Sequence, residues 1–280
     1  MQYGFSIKRK CYLLSVLLMT VWLTGCVQEE FESTPSPAGN GIRFTLTVPD
    51  VNLPSVSSRT MTGTGTAKKE DEIKTVDILV FDMSKTPAVF LEWVSATGVT
   101  QDLADNSTVS FSAVLSPTTA STCIVVVANK ELDNIVSGFT KGATTKVEAM
   151  EKMLHTQTGK WLADGSTTGG YTRIPMYGEK VISKITPSMD PITGINMKRM
   201  LARIDIRNNS ATSNFTVEEV YLANYNTTGY IAPAWNTNGQ VTDPVPDTPV
   251  LPAGSGKMTE EGDAILYSVN GNTPYDGEIY

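Results

Sequence analysis

Two positions in this sequence carry residues whose type and setting could support covalent chemistry, and neither looks like a catalytic centre. The first is Cys26, which follows Leu23-Thr24-Gly25 at the end of an apolar run from Tyr12 to Leu23. The cations Lys8, Arg9 and Lys10 precede that run. Basic, apolar and small-residue segments in that order make a secretory signal, and a thiol at the cut site is a nucleophile that can carry a lipid. The second is the Arg59-Thr60 bond, preceded by Ser57-Ser58 and followed by Met61-Thr62-Gly63-Thr64-Gly65-Thr66. An arginine in a polar, small-residue stretch suits a trypsin-like protease, because such stretches can reach an active site.

The other reactive residue types read as structural. His155 is the only histidine, so any Ser-His-Asp or Cys-His set would have to use it, and no serine sits in an elbow motif. It falls at the end of a helix expected around Val147, Met150 and Leu154, where the helix dipole favours it. Thr145 and Glu148 have capping-box spacing at the start of that helix. Cys11 leaves with the signal, which leaves Cys123 without a partner inside the apolar run Cys123-Ile124-Val125-Val126-Val127. A buried, inert thiol is the expectation. Glu218 and Glu219 would point to opposite faces of a strand. Asp102, Asp105 and Asn106 lack a full calcium-loop pattern. Gly165, Gly169 and Gly170 do not join a strand to a helix, as a phosphate cradle requires. Lys198, Arg199, Arg203 and Arg207 read as charges on the exposed face of a strand, and Lys68 to Glu72 as a solvated face. The expectation is no enzyme, no metal and no cofactor.

Composition narrows the partners. The formal net charge is −7, and losing Lys8, Arg9 and Lys10 makes the mature chain more acidic. That argues against nucleic acid, which is held by Lys and Arg on phosphate. The apolar run is short for a membrane span, and no second span follows. The length allows two modest domains.

The segment Leu23-Thr24-Gly25-Cys26 resembles a bacterial lipobox, whose cysteine takes a diacylglycerol before cleavage frees its amine. Each buried methylene contributes about 0.8 kcal/mol to anchoring. Gln28, Glu29, Glu30 and Glu32 then form an acidic tether.

The elements around these positions are mostly strands. Ile42, Phe44, Leu46 and Val48 alternate with Arg43, Thr45, Thr47 and Pro49, a period-two strand with one apolar face. Strands are also expected over Val76 to Asp82, Val89 to Val94, Val109 to Val114 and Thr122 to Ala128, the last buried on both faces. Short strands are read around Ile174 to Glu179 and Val181 to Ile185, a longer one over Ile195 to Ile206, and others over Phe215 to Leu222 and Ile265 to Val269. Residues from Pro233 to Pro252 should form a long loop. Many short strands and few helices predict β-sandwich packing.

Taken in order, several features resemble the fimbrillin family of Bacteroidetes, the major or accessory subunits of type V pili. These are Cys26 with its lipobox, the strand from Ile42 to Pro49, the Arg59-Thr60 junction and the strand from Val76 to Asp82. Val125-Val126-Val127-Ala128-Asn129 before a helix, the Pro175-Met176-Tyr177-Gly178 turn and Met200-Leu201-Ala202-Arg203-Ile204 complete the set. The resemblance implies a mainly β protein of two transthyretin-like β-sandwich domains with one or two short helices, the second domain incomplete here. Residues 1–25 would be the lipoprotein signal and 26–59 the tether plus a removable first strand. Residues 60–207 would form the first sandwich and 208–280 the start of the second.

The resemblance also implies a route. The lipoprotein reaches the outer membrane and faces outward. An Arg-specific protease cuts after Arg59, and the strand bearing Ile42, Phe44, Leu46 and Val48 leaves a groove. A strand from another pilus subunit fills it, usually from that subunit's C-terminal end, and the fimbria supports adhesion. Two rivals stay open: a lipid-retaining anchor or tip subunit of the same pilus, and a surface glycan-binding lipoprotein using Trp93, Trp161, Trp235, Tyr225 and Tyr230.

Overall fold

The computed structural model describes residues 41–48, 71–101, 108–157, 161, 173–201, 204–207, 218–223, 225–242, 250–253, 255, 265–268 and 276–279. Cys26, Arg59, Thr60, Asp102, Asp105, Asn106 and Arg203 lie outside them. The described residues belong to one compact unit, Asn40–Tyr280.

Period-two apolar runs dominate the sequence, and strands dominate the structure. They are β1 (Ile42–Thr47), β2 (Val76–Asp82), β3 (Val89–Ser95), β4 (Thr97–Gln101), β5 (Thr108–Ala113) and β6 (Thr122–Ala128). Two short helices, α1 (Asp133–Val136) and α2 (Lys146–Lys152), come next. The chain continues through β7 (Leu154–Thr156), β8 (Met176–Ile182), β9 (Ile192–Asn196), β10 (Lys198–Arg199) and β11 (Ile204–Arg207). It ends with β12 (Glu219–Leu222), β13 (Thr228–Tyr230), β14 (Ile265–Ser268) and β15 (Asp276–Ile279).

Two sheets form the sandwich. One has the order β4-β5-β1-β9 and the other β10-β8-β6-β2-β3. Alternation decides what lies between them: Phe44, Leu46, Val109 and Phe111 from the first sheet meet Ile78, Val80, Ile124, Val126 and Met176 from the second. The opposite face of the five-stranded sheet supplies Leu79, Phe81, Cys123, Val125, Val127 and Tyr177. These bury Leu132, Val136, Ala149, Met150, Met153, Ile231 and Ala232. The helices and the segment after β13 thus make a third layer. Every residue of β6 is buried, as its unbroken apolar run predicts. Outside the two sheets, β11 pairs with β15, β12 with β14 and β13 with β7, all antiparallel.

Four local expectations change. The run from Ile195 to Ile206 is not one strand: β9 lies in the first sheet, β10 in the second and β11 with β15. The crossing falls at Met197, and the chain passes so close to Gly178 that a Cβ there would lie 2.7 Å from Met197 Sδ and 2.8 Å from Ile195 Cγ2. Gly178 is therefore a packing residue inside β8, and Pro175 to Gly178 is not a turn. His155 lies on β7 opposite Gly229 rather than on a helix, because α2 stops at Lys152 and the chain straightens into a strand pair. Finally, Asp71 and Glu72 are not merely solvated; they pair with Arg199 and Arg173.

The capping box forms as expected. Thr145 Oγ1 accepts from the Glu148 amide at 3.2 Å, and the Glu148 carboxylate accepts from the Thr145 amide at 2.8 Å. The buried face of α2 is one residue away from the expected one, running through Lys146, Ala149 and Met150 and on to Met153.

Candidate functional site

Strand β1 runs inside its sheet, between β5 and β9. It is antiparallel to β5, with Ile42 opposite Ala113, Phe44 opposite Phe111 and Leu46 opposite Val109. It is parallel to β9, with Phe44 opposite Ile192 and Leu46 opposite Ile195. The backbone continues the ladder, Met197 N donating to Thr47 O at 2.9 Å. Alternation turns Ile42, Phe44, Leu46 and Val48 into the core, where none is more than 4 % exposed. Phe44 stacks on Phe111 with ring centroids 5.0 Å apart and planes 4° from parallel. Arg43 and Thr45 are half-buried on the other face and Thr47 is exposed.

Because β1 is an interior strand, taking it away would expose two ladders, one on β5 and one on β9, above an apolar floor. The groove expected from the sequence would then have two strand walls, β5 and β9. Four buried side chains at about 1.5–3 kcal/mol each make the strand worth roughly 6–12 kcal/mol as an upper bound.

The tether from β1 to the body spans residues 49–70 and contains Arg59-Thr60. The residues that follow it, from Asp71, are held to the body. Glu72 meets Arg173 Nε at 3.1 Å, and Asp71 meets Arg199. Ile73 N donates to Gln101 Oε1 at 3.0 Å, and Gln101 Nε2 donates to Asp71 O at 2.7 Å. Asn129 Oδ1 accepts from Lys74 N at 3.0 Å, while its Nδ2 donates to Glu72 O at 2.8 Å and Ile174 O at 3.0 Å. Asn129 closes β6 at φ 59°, a left-handed conformation that asparagine tolerates better than most residues. Sequence reasoning missed this anchor. Its one local signal was an asparagine immediately after a long apolar strand.

A buried polar cluster lies on the far face of the five-stranded sheet. Lys146 is fully buried and its Nζ meets Glu179 Oε2 at 2.6 Å. Tyr177 OH donates to the same oxygen at 2.5 Å, and Val241 N donates to Glu179 Oε1 at 3.3 Å. Burial and the Glu179 charge raise the Tyr177 pKa well above its ordinary value. Burial pushes the Cys123 thiol up to about 11, so it is not a ready nucleophile. The spacing Lys146, Ala149, Met150, Met153 was the available signal that Lys146 faces inward.

His155 is half-buried and its ring centroid lies 4.8 Å from that of Trp161. Burial, then the Lys130 charge, holds its pKa below the ordinary value. Among the described residues no group of His, Cys, Asp and Glu is placed to hold a metal ion. Nor is any helix among them long and apolar enough to cross a membrane. Trp161 is buried, Trp93 and Trp235 pack against the second core, and Tyr230 stands edge-on to Trp235 at 4.9 Å. Trp93, Tyr230 and Trp235 are half-buried.

The family described as "Major fimbrial subunit protein (FimA)" matches residues 42–246. No curated protein matches. A crystal structure of a fimbrial assembly protein from Parabacteroides distasonis is 11% identical with a TM-score of 0.38, covering 85% of each chain. A candidate cell adhesion protein from the same organism is 18% identical with a TM-score of 0.40. It covers 86% of this chain and 70% of the other. At those scores neither structure bears on function.

Proposed function

The chain belongs to the major fimbrial subunit protein family, and from that premise we propose how it is exported, released and joined to its neighbours. It is a structural subunit of a cell-surface fimbria. In this reading Cys26 carries the lipid that holds the precursor on the outer membrane. An Arg-specific protease cuts between Arg59 and Thr60, β1 departs with the lipidated segment, and a strand from another pilus subunit takes its place. The fimbria so built supports adhesion. The first sandwich over 60–207 and the start of a second over 208–280 belong to the same reading, with residues 228–242 reaching back to cover β7 and α2.

The observation that carries this reading is the place of β1: an interior strand with four buried side chains, joined to the body through the segment that holds Arg59. Strand addition restores both lost terms, apolar burial and backbone hydrogen bonds. While the tether is whole, β1 competes at an effective concentration of about millimolar or more, which keeps other strands out. Cutting the tether removes that advantage without touching the slot. The contacts that hold Asp71 to Lys74 involve no residue of β1, so they do not depend on its staying.

N-terminal sequencing of polymerised surface fibres tests the route. Subunits that begin at Thr60 are expected. Shaft subunits that still begin at Cys26 would remove the cleavage step and favour the anchor role.

A further inference from the structure

We propose that the Phe44 position of the slot selects its partner: the strand it accepts from a second subunit must present an aromatic ring at the second of four alternating apolar positions. This rests on the strand-exchange reading above and adds the identity of one required side chain.

The resident strand is the template. Its second inward residue, Phe44, is 1 % exposed and lies flat on Phe111, 5.0 Å and 4° from parallel. A flat ring filling a flat gap against a second ring gains stacking energy beyond its area. The neighbouring subsites are less demanding in shape. Ile42 lies opposite the small Ala113, and Leu46 lies between Val109 and Ile195, where aliphatic side chains of similar volume interchange at modest cost. Replacing Phe44 by a smaller side chain would strand Phe111 beside a cavity that the packed core cannot close.

The sheet also directs a second chain to this slot rather than to its rims. The outer strand β4 pairs with β5 through a register shift between Thr97 and Thr100, with Gly98 at φ 64°. The other outer strand, β9, shifts register opposite Phe44 and Leu46, with Gly194 at φ 70°. Irregular edges are poor templates for edge-to-edge pairing. The walls set the polarity of an incoming strand that copies β1: antiparallel to β5 and parallel to β9.

The test uses the full chain, its tether severed by limited digestion with a lysine-specific protease at Lys68 or Lys69, followed by inhibitor. Synthetic peptides with the sequence of residues 41–49 are added in mild urea and the mixture is returned to buffer. Displacement of the resident segment is read by native mass spectrometry. Peptides carrying Phe, Tyr or Trp at position 44 should exchange best. Leucine should be about threefold to tenfold weaker, and alanine about 100-fold weaker or worse. Cyclohexylalanine, of similar size but neither flat nor aromatic, should rank with leucine. Equal exchange by all peptides, or cyclohexylalanine matching phenylalanine, would overturn the aromatic requirement and leave strand exchange intact. Failure of every peptide, phenylalanine included, would overturn strand exchange and the requirement with it.

Discussion

Strands β1 and β6 each lie between two neighbours, and they differ in how many faces they cover. All of β6 is buried: its two faces feed both cores, and both its partners are antiparallel. Strand β1 buries one face only, and one of its two ladders is parallel and shifts register between Phe44 and Leu46. Taking out β6 would open both cores and divide the larger sheet. Taking out β1 opens one core and leaves the five-stranded sheet with its helical cover whole. An interior strand can be exchangeable when it serves a single core and its loss leaves a folded platform.

The largest effect should separate the two strands directly. Val126→Asp in β6 places a charge between the sheets with nothing to pair it. It should cost more than about 4 kcal/mol, enough to abolish cooperative urea unfolding. Phe44→Ala should cost the uncut chain about 3–5 kcal/mol. After the tether is cut and the segment washed away, the same substitution should have no effect on the remaining body. A persisting effect would mean that β1 had never left.

The cluster behind β8 sharpens the contrast, because it lies on the side of the five-stranded sheet that β1 does not touch. Lys146→Met leaves Glu179 without its cation and should cost about 3 kcal/mol, in cut and uncut chains alike. Adding Glu179→Met should recover most of that loss. Urea midpoints of the unsubstituted chain and both variants, cut and uncut, decide it.

The smallest effect concerns pH. Burial, then the Lys130 charge, lowers the His155 pKa in the fold from the ordinary 6.5. Between those two values the unfolded chain binds the proton and the folded one does not. Its contribution is therefore whole above the ordinary value and declines as pH falls below it. His155→Phe should narrow the difference in urea midpoint between pH 7.5 and pH 5.5. Since His155 lies on β7, the cut should not alter that change.

Much of this was legible in the sequence, because period-two alternation is a direct readout of burial. Ile42, Phe44, Leu46 and Val48 could be assigned to one face without knowing their neighbours, and the unbroken run of β6 announced two covered faces. The Thr145–Glu148 cap was legible because its partners lie within one turn. What could not be read was which strands would meet. That β1 runs between β5 and β9, the latter some 150 residues away in sequence, depends on contacts no local pattern encodes. The anchor of Asp71 and Glu72 on Arg199 and Arg173 is long-range in the same way. The break of the Ile195 to Ile206 run at Met197 required knowing that Gly178 lies beneath it. His155 was misplaced because helical spacing continued through Leu154 while the backbone did not.

The central claim is that β1 must leave its slot for subunits to join. Thr45 lies opposite Ser110 across the β1–β5 ladder, so Thr45→Cys with Ser110→Cys offers a removable lock. With the disulfide closed, cleaved subunits should stay monomeric, and adding reductant should restore polymer to the level of the unsubstituted chain. Fibres forming as readily with the lock closed as with it open would contradict the account.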